Sequence, residues 1–413
     1  MKLGLIGYPL GHSWSPQIHS FFLKEDCYDL YELKEEELEE FFRNTDLDGF
    51  NVTIPYKQKV MEYLDTLSPS AETIGAVNTV VHRNGAYAGY NTDYEGFLEM
   101  LKENGIAAEG RHAAILGTGG VSKAIACALL QLGASFDFVS RVKKPGAISY
   151  EELYEKQADY QLLVNATPVG MSPRTDCAPV DVSRFSRLES VVDVIANPLR
   201  TKLCFDAWQR GIRFCGGFEM LVRQALAADR YFTDREMDRS QVKACMDALL
   251  KERRNLVLIG MPTSGKSTIA KMIAEKTGRP LIEMDQIIEE RLGTTIRECF
   301  EEKGEAYFRA LETDVCKEVG AEGAVISCGG GVIKNRENMQ YLSANGMIFW
   351  IDRDPELLFG SKDRPLSRSK SDIETLYEQR RSLYERFSDI RIANNASMEQ
   401  AASAILAAVG ETL

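Results

Sequence analysis

The chain has 413 residues, 44% of them hydrophobic and 27% charged, with a net charge of −12 and a pI near 5.1. That length exceeds what one hydrophobic core organises and points to two or three soluble globular domains. The acidic balance argues against nucleic acid or an acidic membrane surface as a partner, and nine scattered cysteines without a C-x-x-C pair point to reduced thiols and not to a zinc site.

Reduced thiols suit a cytoplasmic setting; the apolar run of MKLGLIGYPLG breaks at Gly7 and Pro9, too early for a signal peptide, and no run reaches the roughly 20 residues of a membrane span. Residues 3 to 6 predict a strand. The turn after it leads into a helix at which Ser13 and Ser15, beside Pro16, have the chemistry of a helix start. DGFNVTIPYK (48–57) predicts a β-rich run closed by Pro55, with Lys57 either a solvated end or a site cation. IGAVNTV (74–80) and GYNTD (89–93) put Asn78, Asn91, Thr92 and Asp93 at predicted strand ends, where open α/β sheets keep site residues. Such a set of hydroxyls, amides, one ammonium and one carboxylate suits a small polyhydroxylated anion better than an apolar ligand.

Residues 113–141 run strand, glycine loop, helix, strand, with Gly117, Thr118, Gly119 and Gly120 opening the helix and Ser122 at the third fingerprint position. This order predicts dinucleotide binding. Asp137 lies near the place of a ribose-binding acid, which would suit NAD. The strand is expected to run on to Val139, however, and Ser140, Arg141, Lys143 and Lys144 then make a cationic tip suited to the 2′-phosphate of NADP, or else a solvated basic turn. Further strands are predicted at 160–171 and 191–198. A helix from Gly217 or Phe218 carries Gln224, facing either the pocket or water.

Over residues 1 to about 250, the ordered set GLIGYPLGHSWSP, NVTIPYK, IGAVNTV, GYNTD, LGTGG, NATPVGM and GFEMLVRQA resembles shikimate dehydrogenase. The resemblance implies that Ser13, Ser15, Thr53, Asn78, Asn91 and Gln224 hold the carboxylate and hydroxyls of the substrate. Lys57 and Asp93 would then be the catalytic pair. Hydride addition to a ring ketone leaves an alkoxide that needs a proton, which a Lys oriented by a carboxylate can give. Ala196 departs from the family, which commonly has Tyr there. That departure and Asp137 keep open an enzyme that also takes quinate or uses NAD.

Asp234 to Arg254 shows helical spacing of Met237, Val242, Met246 and Leu249 and leaves almost no linker. NLVLIGMPTSGKST (255–268) then reads as a buried strand followed by Gly260-x-x-x-x-Gly265-Lys266-Ser267-Thr268, a P-loop. Its backbone N–H groups cradle phosphates, Lys266 serves the terminal phosphates and Ser267 offers a hydroxyl to Mg²⁺. Downstream, PLIEMDQIIEERLG is read as a strand ending in Glu283 and Asp285, GEAYFRALE carries Arg309 and Glu312, and VISCGGGV sets Gly329, Gly330 and Gly331 after a strand. KDRPL brings Arg364 in a loop, and a helix follows with Arg380, by itself a surface charge.

This second set resembles shikimate kinase, of the nucleoside-monophosphate-kinase-like group. The resemblance makes Asp285 the residue that orients the acceptor hydroxyl, Arg309 and Arg380 a carboxylate clamp, the three glycines a place for substrate to approach backbone N–H groups, and Arg364 a lid residue. Mg²⁺ would be held by Ser267 and Glu283. Glu283 stands where the first Asp of D-x-D is usual, and Phe359 where an Arg often lies against adenine.

The expected fold is α/β. A substrate domain covers 1–100 with 217–253 returning to it, a Rossmann-type NADP domain covers 101–216, and a P-loop kinase domain covers 254–413. The expected function is NADPH-dependent reduction of 3-dehydroshikimate to shikimate, followed by ATP- and Mg²⁺-dependent phosphorylation of shikimate. A degenerate nucleotide-dependent regulatory protein is the rival from another class. Lys57, Asp93, Lys266 and Asp285 count against it, because a binding module needs neither a proton donor nor an acceptor base.

Overall fold

The computed structural model describes residues 1–11, 13–25, 27–320, 323–358 and 370–411, and the chain divides into two compact units, Met1–Leu249 and Leu250–Leu413. The boundary falls inside the helix Gln241–Lys251, slightly before the expected 254. That helix is shorter than the predicted 234–254. Asp234 takes a left-handed φ of 55°, which ends the preceding helix, and Asp238 then accepts the Ser240 N–H at 2.9 Å in a turn.

The first unit holds two sheets. One contains β1 (Leu3–Gly7), β2 (Tyr28–Glu32), β3 (Gly49–Val52), β4 (Thr66–Leu67), β5 (Thr79–Arg83) and β6 (Ala86–Tyr90), in the order β2-β1-β3-β5-β6-β4. Pairing is parallel at β2-β1-β3 and antiparallel at β3-β5-β6. Because Thr79 pairs with Tyr90, the start of β5 and the end of β6 lie side by side, which brings Asn78 next to Asn91 and Thr92. Asn78 thus precedes a strand and does not end one.

The second sheet contains β7 (His112–Leu116), β8 (Ser135–Val139), β9 (Ala147–Ile148), β10 (Leu162–Asn165), β11 (Ser190–Asp193) and β12 (Arg213–Cys215). All its pairs are parallel, in the order β12-β11-β10-β7-β8-β9, the doubly wound arrangement with its switch point between β7 and β10. The predicted strand 160–171 is cut to four residues. Asn165 turns its side chain to Asp193 and to the Thr167 N–H, and the chain leaves the ladder there.

Helices tie these sheets together. The helix Gly217–Thr233 packs along Thr92–Glu103 and against Ser15–Leu23. At Gly96 a Cβ would lie 2.9 Å from the Gln224 backbone nitrogen, so glycine lets the two helices come this near.

The second unit has one parallel sheet of β13 (Asn255–Ile259), β14 (Leu281–Glu283), β15 (Val325–Ser327), β16 (Gly346–Asp352) and β17 (Ile390–Ala393), ordered β14-β15-β13-β16-β17. Leu256 to Ile259 are fully buried, as a central strand covered on both faces requires, and each such side chain contributes ~1.5–3 kcal/mol. Among the described residues, no helix is long and apolar enough to cross a membrane.

Each unit has its own sheets and buried apolar clusters. Produced separately, residues 1–249 and 250–413 should each unfold in one cooperative thermal transition. A fragment that gives no transition by circular dichroism would show that it borrows its stability from the other.

Candidate functional sites

In the first unit, the Lys57 Nζ donates to Asp93 Oδ2 at 2.6 Å, with only 15% and 9% of the two side chains exposed. Lys57 is therefore a held cation and not a solvated strand end. Asp93 lies in the first turn of the helix Thr92–Glu103, where the helix dipole favours an anion. Asn91 caps that helix, its Oδ1 accepting the Tyr94 N–H while its Nδ2 donates to the Ala76 carbonyl. Both ends of Asn91 are thus tied to backbone.

Asn78 accepts the Thr92 N–H at 2.7 Å and donates to Thr92 Oγ1 at 3.0 Å and to Gln224 Oε1 at 3.3 Å. Gln224 therefore faces the polar cluster, which settles the choice left open by its helix. Ser13 and Ser15 sit together at the start of the helix Ser15–Leu23, their hydroxyls 3.1 Å apart. Thr53 follows β3, and its methyl packs where a side chain on Gly7 would go.

Beneath these groups runs a buried relay without a plain sequence signal. The Tyr28 hydroxyl donates to Asn51 Oδ1 at 2.8 Å, and Asn51 Nδ2 donates to the Asn78 carbonyl and to Thr79 Oγ1. Burial, then the Asp229 carboxylate, holds the Tyr28 phenol well above its ordinary range, while a hydrogen bond with Ser15 works against them.

At the switch point, Gly117 has φ 111° and a Cβ there would lie 3.0 Å from the Ala166 carbonyl, so the loop from β7 runs close over the end of β10. Gly119 then occupies the N-cap position of the helix Gly120–Gln131, which points its N–H groups toward an incoming phosphate. Thr118 Oγ1 accepts from Lys144 Nζ at 2.9 Å. Ser140 closes the turn after β8 by donating its N–H to the Ile148 carbonyl, and Arg141 is exposed beside it.

Asp137 points elsewhere: it accepts from the Tyr160 hydroxyl at 2.7 Å and from His112 Nε2 at 3.2 Å. Its partial burial would raise its pKa, but these hydrogen bonds hold it below the ordinary carboxylate range. The strand runs on to Val139, so Ser140 and Arg141, not Asp137, stand at its end. Sequence reasoning also passed over Asp193, a carboxylate inside an apolar run. It is fully buried, accepts from Thr201, Ile195 and Asn165, and is pushed up to about 6 by burial against those bonds. It braces the turn that carries Ala196.

In the second unit the phosphate loop follows β13. Gly265 has φ 95° at the N-cap of the helix Lys266–Thr277, and Asn394 Nδ2 holds the loop by donating to the Ser264 carbonyl at 2.7 Å. The Lys266 ammonium lies along the loop, donating to the carbonyls of Gly260 and Met261 at 3.0 and 2.8 Å. Ser267 and Thr268 are exposed at the helix start. Ser267 Oγ donates to Glu283 Oε2 at 3.1 Å, with Ser327 Oγ 3.2 Å away. The longer Glu283 side chain therefore still meets the Ser267 hydroxyl. Among the described residues, no group of three or more His, Cys, Asp or Glu is placed to hold a metal ion by itself. A hydroxyl beside one carboxylate fits a hard cation that takes its other ligands from phosphate and water.

Asp285 was expected at the end of a strand but lies in the first turn of the helix Met284–Leu292. β14 stops at Glu283, whose parallel partner Ser327 ends β15. The turn Gly329–Gly331 is the meeting point of the remaining groups. A Cβ on Gly329 would lie 2.6 Å from Asp285 Oδ1 and 3.4 Å from Glu312 Oε1, one on Gly330 would meet Pro262 of the phosphate loop at 2.8 Å, and one on Gly331 would collide with the Arg309 guanidinium. Arg380 Nη1 and the Tyr384 hydroxyl both donate to the Gly330 carbonyl, at 3.0 and 2.5 Å. Arg380 is buried, not a surface charge.

Glu305 and Glu312 orient Arg309, the latter through a 2.7 Å bond to Nη1. Burial raises the Glu312 carboxyl, and Arg309 works against it. Glu312 was visible in sequence beside Arg309. Tyr384, whose hydroxyl burial pushes up to about 12, was not. Arg364 and Phe359 lie outside the described residues.

A doubly wound nucleotide fold joined to a Lys–carboxylate pair is the architecture of a nicotinamide-dependent reductase. A phosphate loop set against converging arginines is that of a small-molecule kinase. The family model described as shikimate dehydrogenase substrate binding domain matches residues 5–80, and that described as shikimate kinase matches residues 262–410. Shikimate dehydrogenase (NADP(+)) of Clostridium beijerinckii is 39% identical over 252 residues, which cover 57% of this chain and 93% of that protein. Among solved structures, shikimate dehydrogenase 1 from Peptoclostridium difficile is 36% identical with a TM-score of 0.56, covering 60% of this chain and 98% of that one. Shikimate 5-dehydrogenase from Thermus thermophilus, in complex with NADP(H) and shikimate, is 32% identical with a TM-score of 0.55 over 60% of this chain and all of its own. The chain belongs to the shikimate dehydrogenase family in its first unit and carries a shikimate kinase domain in its second.

Gly331→Ala tests the arginine cluster directly. The added methyl has to displace the Arg309 guanidinium, so KM for the kinase acceptor should rise about tenfold or more with reduction by the first unit unchanged. An unaltered KM would take Arg309 out of acceptor binding.

Proposed function

We propose that this chain reduces 3-dehydroshikimate to shikimate with NADPH in residues 1–253 and phosphorylates shikimate with ATP and Mg²⁺ in residues 254–413. The observation that carries the reading is the pairing of two units whose relatives are named for the same small molecule, each with its charged groups gathered in one place. Within the first part, residues 1–100 and 217–253 serve the ring substrate and 101–216 the dinucleotide.

In the first reaction the bound NADPH supplies hydride to the ring ketone. Ser13, Ser15, Thr53, Asn78 and Gln224 hold carboxylate and hydroxyls, and Asn91 shapes the site by capping the helix that carries Asp93. Lys57 gives a proton to the oxygen that becomes the new hydroxyl, and Asp93, 2.6 Å from its Nζ, keeps the ammonium aimed and compensated. Gly117 to Gly120 receive the pyrophosphate. Ser140 and Arg141 meet the 2′-phosphate, a role favoured by the engagement of Asp137 with Tyr160 and His112.

In the second reaction ATP supplies the phosphoryl group. Gly260, Gly265 and Thr268 belong to the loop that surrounds its phosphates, Lys266 neutralises charge on them, and Ser267 with Glu283 would hold Mg²⁺. Asp285 orients the acceptor hydroxyl and takes its proton. Arg309 and Arg380 clamp the ring carboxylate over Gly329, Gly330 and Gly331, where planar guanidinium forks serve better than ammonium groups. Arg364 is assigned to the lid. One hydroxyl links the reactions: Lys57 completes it and Asp285 deprotonates it.

Two variants separate the roles. Lys57→Ala should lower reduction by roughly 10²- to 10⁴-fold and leave phosphorylation intact, and Lys266→Ala should do the reverse. Full-rate reduction by the Lys57 variant, measured by NADPH loss, would remove that residue from the mechanism.

A further inference from the structure

His19 and Asp229 form a polar pair in the interior of the first unit. Nδ1 and Oδ1 are 2.6 Å apart and neither side chain is exposed at all. One hydrogen bond joins the ring Nδ1 and the carboxyl oxygen, whichever of the two supplies the proton. His19 Nε2 and Asp229 Oδ2 have no hydrogen-bond partner among the described residues. A buried pair satisfied on one side only is a poor source of stability, and apolar residues of similar size often serve a core better. Its position offers another role.

His19 is one turn below Ser15 on the helix Ser15–Leu23, and Asp229 lies five residues after Gln224 on the helix Gly217–Thr233. One bond thus joins the helix that Ser15 opens to the helix bearing the amide. The Tyr28 ring stacks on His19 at 4.1 Å and 9°, and its hydroxyl leads through Asn51 to Asn78, which bonds Gln224. The contacts close a ring around the underside of the polar cluster.

We infer that the His19–Asp229 pair is a positioning device that sets the spacing between Ser13 and Ser15 on one side of the ring substrate and Gln224 on the other. The inference rests on the assignment of those three residues to substrate binding. It concerns binding of the ring, because neither His19 nor Asp229 touches Lys57 or the glycine loop in the hydrogen-bond network. Removing the pair should therefore move KM for the ring substrate far more than kcat or KM for the dinucleotide.

The test uses the full chain, whose phosphorylation rate reports the amount of chain in each sample, while the melting transition of the first unit reports its folding. His19→Leu removes the polar atom at Nδ1, and His19→Asn keeps a hydrogen-bonding group at about that place. We expect His19→Leu to raise KM for 3-dehydroshikimate about tenfold or more with kcat changed less than about threefold, and His19→Asn to restore most of the loss. Should His19→Leu not fold, Asp229→Asn carries the same expectation. A variant that lowers the melting temperature while leaving KM unchanged would overturn the inference and leave the pair a core contact. Gln224→Ala and Ser15→Ala serve as references in the same assay. If they leave KM unmoved, the substrate-site assignment itself is wrong and the inference falls with it for that separate reason.

Discussion

A parallel strand ends in backbone groups that its neighbours do not pair, and the two all-parallel sheets place their polar chemistry there. Gly117 follows β7, the phosphate loop follows β13, and the Gly329–Gly331 turn comes just after β15. The mixed sheet reaches the same result by pairing the start of β5 with the end of β6. Strand interiors buried on both faces leave no other place for charge. The sites are thus consequences of sheet architecture before they are consequences of particular side chains.

Close backbone approach then decides how the charged groups are oriented. Gly96 lets the helix of Asp93 lie against the helix of Gln224, and Gly331 lets Arg309 lie flat on the glycine turn. Carbonyl dipoles and carboxylates hold the cations: Lys57 rests on Asp93, Lys266 on the phosphate-loop carbonyls, Arg309 on Glu305 and Glu312, and Arg380 on Gly330. Each cation is fixed in direction by a named partner, which is what a site that must present charge at one point requires.

Much of this was legible in the sequence where chemistry restricts residue identity at neighbouring positions. The phosphate loop and the glycine loop are of that kind, because a turn that meets phosphate tolerates few residues. Gln224 was left open by its spacing, and Arg380 read by itself as a surface charge. Their directions depend on helix packing against segments distant in the chain, and a lone Arg on a helix has the same local pattern whether buried or solvated. Asp285 was placed on the wrong element, since the end of β14 is set by its partner β15 and not by its own residues. His19 and Asp229, 210 residues apart, give no local sign that they meet.

The central claim is that one polypeptide makes a hydroxyl in its first unit and phosphorylates the same hydroxyl in its second. The most direct measurement is to incubate the full chain with 3-dehydroshikimate, NADPH, ATP and Mg²⁺ and to follow NADPH loss and phosphorylated product separately. The account predicts NADPH loss without ATP, phosphorylated product only when both nucleotides are present, and product formed from added shikimate with ATP alone. Phosphorylated product that fails to appear from shikimate and ATP, or NADPH that is not consumed by 3-dehydroshikimate, would contradict it.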